Sequence, residues 1–136
     1  MLDNTDQLIL DELSKNSRIT MKELGEKVHL TGQAASGRVA KLEDNGLIEG
    51  YTIKVNQTKL GYFIHAFITI ITQSTYHQPY LSFIKTQEAY IIHNYKISGD
   101  GCYFLECKFP SNKALDEFLE DLNKHANYKL SIVINK

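Results

Sequence analysis

The sequence has few of the features that mark secreted, membrane-spanning or strongly cationic proteins. Its 136 residues include no tryptophan, two prolines and two cysteines. No run of about 18 apolar residues occurs and the N-terminus does not resemble a signal peptide, so we expect a soluble cytoplasmic protein with no membrane partner. Cys102 and Cys107, five residues apart in a strand-like run, would point to opposite faces, which argues against a disulfide or a shared metal.

The charge balance is nearly neutral, with 15 Lys and Arg against 16 Asp and Glu and a formal net charge of -1. Neither half of the chain carries an excess of positive charge. A lone subunit therefore lacks the field that drives strong non-specific binding to nucleic acid. Basic side chains nevertheless concentrate around two predicted helices, so a DNA-binding function would require an assembly that adds several patches together.

Residues 19–46 carry the most informative pattern, two short amphipathic segments separated by a tight turn. Thr20 and Glu23 fit a capping box, in which the hydroxyl accepts from a free backbone N–H and the carboxylate accepts from the backbone of the cap. Thr31 offers a second N-cap, and Gly46 can adopt the left-handed conformation that ends a helix. These signals predict a helix-turn-helix.

The helix that begins at Thr31 has an outer face suited to a DNA groove. At about 100° per residue, Ala35, Val39 and Leu42 share the inner stripe, and small or polar residues lie opposite. A glycine inside a helix costs about 1 kcal/mol relative to alanine, so Gly37 indicates that another molecule approaches the backbone closely. The alternative is a buried helical hairpin with a solvated polar face. The predicted DNA-binding residues are Lys22, Thr31, Gln33, Ser36, Gly37, Arg38, Lys41 and Lys54.

Among these residues, Gln33, Ser36 and Lys41 are expected to contact base edges or phosphates. Arg38 lies on the flank of the helix, and two roles are equally open for it. It is either a phosphate clamp or a structural bridge to an acidic neighbour.

A first helix over residues 2–14, with Asp3 or Asn4 as its N-cap, precedes this pair. Together the three helices predict a small hydrophobic core. Its expected members are Leu8, Ile9, Leu13, Leu24, Val28, Val39, Leu42 and Ile48.

The residue pattern changes after Gly61 from one typical of helices to one typical of strands. Residues 47–55 alternate loosely and predict a short strand or wing that leads away from the helices. We therefore expect three parts. They are a helix-turn-helix domain at 1–50, a linker strand at 51–61 and a second domain at 62–136.

The second domain has the element order β-α-β-β-α-β, which predicts a ferredoxin-like unit with both helices on one face of a four-stranded sheet. The whole chain is then an α+β protein. The apolar and aromatic strands require a cover on the other face, so we expect this half to form a dimer. The predicted strands span 62–72, 90–97 and 102–109, with a last one through Tyr128, Leu130, Ile132 and Ile134; the predicted helices span 76–85 and the residues after Pro110 and Ser111.

The two halves together resemble the Lrp/AsnC family of prokaryotic transcriptional regulators. The resemblance is most specific in the N-terminal third and extends through the rest of the chain in length and element order. It rests on Leu2-Asp3, Asp6, Ile9-Leu10, Leu13, Ser17-Arg18-Ile19-Thr20, Glu23-Leu24, Leu30-Thr31, Arg38-Val39, Leu42-Glu43, Gly46-Leu47-Ile48, Gly50-Tyr51-Thr52 and Ser98-Gly99-Asp100.

The resemblance implies a regulator that binds double-stranded DNA as a homodimer, often assembled to an octamer, in the nucleoid. It also implies a small effector, usually an amino acid, with no other cofactor. Family members that bind amino acids tend to carry an aspartate where Cys102 stands, so Asp100 is expected either to substitute for it or only to stabilise the turn. The expected effector-binding residues are Ser98, Gly99, Asp100, Gly101 and Cys102.

Other classes of function remain as alternatives. One is an architectural DNA-bending or packaging protein without an effector, and another is a ligand-sensing module that no longer binds DNA. An enzyme is not expected, because the histidines and cysteines form no paired acid/base spacing, no metal-ligand spacing and no phosphate-binding glycine loop. His65 and His93, which lie in strand runs, are expected to be satisfied core or interface residues.

Overall fold

The computed structural model describes residues 2–136 and divides the chain into two compact units. The first unit ends at Lys54 and the second begins at Val55. Along the chain, three helices form the first unit, and four strands with two helices form the second. The predicted α+β class is confirmed.

The first unit contains the three predicted helices, and side chains cap each of them. The helices are α1 (Asn4–Lys15), α2 (Met21–Val28) and α3 (Gly32–Asp44). Asp3 caps α1 in a full capping box with Asp6, and Thr31 caps α3 by accepting from the backbone N–H of Ala34 at 3.1 Å.

The capping box predicted for α2 is only half formed. The hydroxyl of Thr20 accepts from the backbone N–H of Glu23 at 3.1 Å, as expected. The Glu23 carboxylate, however, accepts from the Thr20 hydroxyl at 3.1 Å instead of bonding the backbone of the cap. The cap therefore satisfies one free N–H of the helix rather than two.

The core of the first unit matches the prediction except at Leu8. That side chain is 45% exposed, because the neighbouring Ile9 takes the fully buried position of the α1 stripe. Leu10 and Ile48 pack against the core from its edge. The buried members are Ile9, Leu13, Ile19, Leu24, Val28, Ala35, Val39 and Leu42.

The turn between α2 and α3 depends on two residues whose roles the sequence pattern did not indicate. His29 adopts the left-handed conformation at φ 62°, which is uncommon for a residue other than glycine. A Cβ placed on Gly25 would lie only 2.5 Å from the backbone oxygen of Leu30. Gly25 is therefore required where the turn packs against the helix that precedes it.

The strand expected over residues 47–55, including the start of the linker strand at 51–61, does not form in the described chain. Residues 49–56 have no regular secondary structure, and turns follow at 57–61. Ile53 is 78% exposed. The alternating pattern is present, but residues 2–136 offer this segment no neighbouring strand to complete a ladder.

The second unit has the predicted β-α-β-β-α-β order of elements. They are β1 (Ile64–Ile71), α4 (Gln78–Lys85), β2 (Ile91–Lys96), β3 (Tyr103–Phe109), α5 (Asn112–Leu122) and β4 (Asn127–Ile132). The four strands form an antiparallel sheet in the order β2-β3-β1-β4, with β3 and β1 at its centre.

One face of this sheet forms the core of the second unit with α4 and α5. Alternate residues of β1 and β3 are buried on it, in agreement with the period of two along a strand. The last strand is shorter than predicted, because Ile134 is 96% exposed and lies beyond the last paired residue, Ile132. The main buried residues are Ala66, Ile68, Ile70, Tyr80, Tyr103, Leu105, Cys107, Phe109, Phe118 and Leu122.

The opposite face, here called the outer face, carries a mixture of aromatic and charged side chains. It comprises His65, Phe67 and Thr69 of β1, with their cross-strand partners in β3 and β4. Phe67 and Phe104 stack with ring centroids 5.4 Å apart. The two helices of the second unit, α4 and α5, pack on the core side of the sheet and not on this face.

Candidate nucleic-acid interface and effector domain

The exposed side of α3 presents the small and polar residues that the sequence singled out. Gln33, Ser36, Gly37 and Lys41 are exposed, while Ala35 on the opposite side is fully buried. A Cβ built on Gly37 would have no neighbour within 4 Å. Packing within the unit therefore gives no reason for a glycine at this position.

The start of α3 lies against the first turn of α2. A Cβ on Gly32 would be 3.3 Å from the backbone of Lys22, so the two helices come close together at this point. The Thr31 side chain is occupied by its capping bond, whereas Lys22 is exposed. Lys54 is also exposed and lies within the irregular segment at residues 49–56.

Arg38 forms the structural bridge, one of the two roles left open for it. Its Nη1 donates to both carboxylate oxygens of Asp3, at 2.8 and 2.7 Å, and to Asp6 at 3.2 Å. These bonds join the N-terminus of α1 to the middle of α3. Hydrogen bonding by Arg38 is the main cause that lowers the pKa of Asp3, and the same bonds raise the pKa of Arg38.

This bridge predicts an acid-sensitive stability of the first unit. Because the folded pKa of Asp3 lies below its ordinary value of 3.8, the bridge stabilises the fold above that value and loses its effect as the pH falls through the folded pKa. Arg38→Met is expected to lower the melting temperature near neutral pH. The difference from the parent should shrink between about pH 5 and pH 2 in thermal unfolding followed by circular dichroism. A constant difference would show that the carboxylate charge is not involved.

The hairpin between β2 and β3 contains the expected effector-binding residues. The backbone N–H of Ile97 donates to the Cys102 oxygen at 3.0 Å, and the N–H of Cys102 donates to Ile70 at 2.8 Å. These bonds hold the loop against the end of β1. Gly101 is tightly constrained, since its φ is 152° and a Cβ there would lie 2.8 Å from Thr69.

The side chains of this hairpin differ in their hydrogen bonds. Asp100 and Ser98 are exposed, and neither side chain forms a hydrogen bond to another described residue. The Cys102 sulfur lies 3.2 Å from the Thr72 hydroxyl, and this hydrogen bond lowers the pKa of the thiol.

The remaining titratable residues are partly as expected. Both cysteines are free, and burial raises the pKa of the Cys107 thiol to about 12.

His65 pairs with Glu106, with Nε2 and Oε2 2.6 Å apart. His93 is not a core residue, because it is exposed and stacks on Tyr95 at 5.3 Å; its expected place at an interface stays a prediction. Among residues 2–136, no group of three or more His, Cys, Asp or Glu is placed to hold a metal ion.

Comparison with family models covers both units. A model described as winged helix-turn-helix DNA-binding matches residues 2–49, and one described as the Lrp/AsnC ligand binding domain matches residues 65–136. The second match alone spans more than half of the chain. The chain belongs to the Lrp/AsnC family. The resemblance inferred from the sequence motifs is thereby confirmed.

Several curated proteins match this chain over 90% or more of their own length. The chain is 68% identical to the HTH-type transcriptional regulator LrpA of Bacillus subtilis, with all of both chains covered. It is 41% identical to LrpB of the same organism, over 99% of this chain and 90% of that protein. Both relatives are named as transcriptional regulators.

Solved Lrp/AsnC structures have the same fold. LrpC of Bacillus subtilis superposes with a TM-score of 0.91 at 31% identity, covering 100% of this chain and 96% of that one. A Neisseria meningitidis transcriptional regulator in complex with L-methionine also gives a TM-score of 0.91, at 25% identity and 92% coverage of its own chain.

The protein is therefore a DNA-binding transcriptional regulator and not an enzyme. Its first unit carries the helix-turn-helix, and its second unit is the family's ligand-binding domain. In the part of the chain that the structure describes, no helix is both long and apolar enough to cross a membrane.

Proposed function

We propose that the protein binds an imperfect palindrome of double-stranded DNA as a homodimer, with α3 of each subunit in the major groove. The observation that carries this proposal is the exposed side of α3, where Gln33, Ser36 and Lys41 flank the bare backbone at Gly37. Small residues let a helix lie deep in a groove, and amide, hydroxyl and ammonium groups then reach base edges or phosphates. The two copies of α3 in such a dimer lie roughly 34 Å apart, and this distance sets the spacing of the half-sites.

Binding to a pool of random DNA, followed by sequencing of the retained fraction, tests this proposal. Enrichment of a palindrome supports a sequence-specific regulator and supplies its operator. Retained, salt-dependent binding without an enriched sequence would instead indicate an architectural DNA-packaging protein. Complete absence of binding would indicate a sensor module that no longer contacts DNA.

Replacing Gln33 or Ser36 by alanine is expected to weaken binding to the enriched operator by about 1–3 kcal/mol, with relaxed specificity at one position of each half-site. Gln7→Ala and Ser14→Ala are matched controls, because both residues are exposed on α1. Fluorescence anisotropy at fixed salt measures the affinities. Equal affinity of variants and controls would show that these two side chains do not contribute to recognition of the operator.

The homodimer is supported by the outer face of the sheet. Phe67 and Phe104 stack there and are half-buried rather than part of the core, and an aromatic cluster of this kind is typical of a surface between subunits. A dimer also combines the basic patches of two subunits on one DNA molecule. This strengthens binding, because a single near-neutral subunit would bind DNA only weakly. We extend the proposal to assembly of dimers into an octamer, the state that the family resemblance implies.

We also propose an amino acid as the effector and the hairpin at residues 98–102 as its binding site. The exposed, unpaired carboxylate of Asp100 can accept from an ammonium group. The methionine complex of the Neisseria meningitidis relative supports this class of ligand. A regulator of this kind acts in the cytoplasm, in association with the nucleoid. Repeating the random-pool selection in the presence of free amino acids tests the effector. The amount of palindromic DNA that the protein retains is expected to change when the amino acids are added.

A further inference from the structure

Three charged side chains form a compact group on one flank of α3. Arg38 Nη1 lies 2.7 Å from the Asp3 carboxylate and 3.2 Å from the carboxylate of Asp6. None of the other ion pairs among residues 2–136 includes any of the three. Two carboxylates and one guanidinium leave a single net negative charge, and a charged molecule that approaches this flank experiences that net charge.

The same group borders a cleft that Lys41 also lines. The cleft has a volume of about 310 Å³. Arg38 and Lys41 are three residues apart on α3, so they share one flank of the helix. Lys41 is exposed and is one of the residues proposed to reach a phosphate. Its positive charge is therefore offset by the net negative charge of its neighbours. The residues that line the cleft are Asp3, Asp6, Arg38, Lys41, Leu42 and Asn45.

Arg38 retains N–H donors that the bridge does not use. All of its bonds to the two aspartates come from Nη1, and neither Nε nor Nη2 bonds another described residue. These donors do not make the flank attractive to DNA. A phosphate within reach of Nη2 would lie only a few ångströms from both carboxylates, and the repulsion of two charges at that distance offsets the attraction of one.

We infer that Asp3 and Asp6 limit the affinity of the protein for DNA, because they withhold Arg38 from the phosphate backbone and repel that backbone from this flank of α3. The inference rests on the proposed function, since it concerns the same helix in the same groove. It adds to that function two residues of α1 that oppose binding. An assembly combines the affinities of its subunits, so a limit on each subunit keeps the binding of the whole reversible.

Neutralising Asp3 tests the inference, with DNA binding of the full chain measured by fluorescence anisotropy at several NaCl concentrations. In Asp3→Asn, the affinity for the enriched operator and for a scrambled duplex of the same length is expected to rise about 3- to 10-fold at about 0.1 M salt. The slope of log K against log salt should become steeper by roughly one, because Arg38 can then contact a phosphate. Asparagine caps a helix as well as aspartate does, so the N-cap of α1 is kept.

Asp6→Asn is an independent variant and should change the affinity and the slope in the same directions. Circular dichroism confirms the fold of each, and either variant carries the test if the other does not fold. Asp11→Asn is the matched control, because it removes the same charge from an exposed position of α1 whose carboxylate bonds Gln7 and not Arg38. Eight residues of helix place Asp11 about 12 Å from Asp3, beyond the Debye length at this salt, so the control should bind like the parent.

The other outcomes contradict the inference in different ways. A lower affinity with a shallower slope in Asp3→Asn would show that Arg38 already binds a phosphate and that the aspartates orient it. An unchanged affinity and slope would show that the bridge is only structural. An equal rise in the Asp11→Asn control would assign the effect to the net charge of the chain. A parent that binds no DNA even at low salt would overturn the proposed function itself, and this inference with it.

Discussion

Replacing Gly25 by alanine is expected to destabilise the helix-turn-helix unit by about 1–3 kcal/mol. The added Cβ would lie 2.5 Å from the backbone oxygen of Leu30 and 3.0 Å from the carbonyl group of Thr31. These atoms belong to the turn and to the cap of α3, so they cannot yield by rotating a side chain. In addition, Gly25 accepts the backbone N–H of Leu30 at 2.8 Å, a bond that moves with the turn.

Thermal unfolding of the full chain measures this effect, and the transition of the first unit should move down by several degrees per kcal/mol. Affinity for the operator should fall as well, because any displacement of the turn reorients α3. An unchanged transition temperature would show that the turn can shift by a few tenths of an ångström without cost.

Gly37→Ala is the matched control on the neighbouring helix, and the opposite sign is expected. A Cβ there meets nothing within 4 Å, and alanine is favoured over glycine inside a helix by roughly 0.5–1 kcal/mol. The free protein should become more stable, while binding to DNA should weaken if the groove approaches this backbone. A variant that gains stability and keeps its full affinity would leave Gly37 without a role at the interface.

The contrast between these two glycines shows what a sequence pattern can and cannot predict. Gly37 stands out because it interrupts a helical period on the polar side, which is a local signal. Gly25 also lies within a helix, but its role depends on the close approach of a turn that begins several residues later. Such a contact follows from tertiary packing, which propensity and periodicity do not encode. The same holds for His29, because histidine adopts a left-handed backbone more often than most residues but still too rarely for its presence to predict one.

The N-cap side chains of the three helices were predicted well because such caps are local, although the reciprocal bond from Glu23 was not formed. The side chains of Asp3, Thr20 and Thr31 each accept from the backbone N–H three residues ahead, which a sequence of four residues is sufficient to indicate. The role of Arg38 was not predictable in this way. Its partners Asp3 and Asp6 are more than thirty residues away, so only the packing of α1 on α3 decides between a bridge and a free cation.

The second unit shows the corresponding limit for strands. Strand-like apolar and aromatic runs located β1 and β3, and alternation located β4, yet the alternation placed Ile134 in a strand that ends at Ile132. Periodicity describes the strand itself and not how far its neighbour extends. For the same reason the pattern could not show that His65 and Glu106 meet across β1 and β3, since their 41-residue separation is closed only by the sheet register.

Phe67→Lys is expected to dissociate the proposed homodimer while leaving each subunit folded. Phe67 lies on the outer face, stacked on Phe104, and is not among the residues that pack between the sheet and the helices. Loss of a central aromatic residue weakens an interface by about 2–4 kcal/mol, which corresponds to roughly 30- to 1,000-fold in Kd. The lysine adds to this loss, because a second copy would bury its charge.

Sedimentation velocity over a range of protein concentrations measures the change, with circular dichroism to confirm the fold. Tyr76→Lys is a suitable control, since it places the same charge at an aromatic residue that is 69% exposed and precedes α4. The control should sediment like the parent. Loss of the dimer in Phe67→Lys should also lower the affinity for the operator, because a single subunit presents only one weakly charged copy of α3 to the DNA. A Phe67→Lys variant that sediments like the parent would place the subunit interface elsewhere than on the outer face of the sheet.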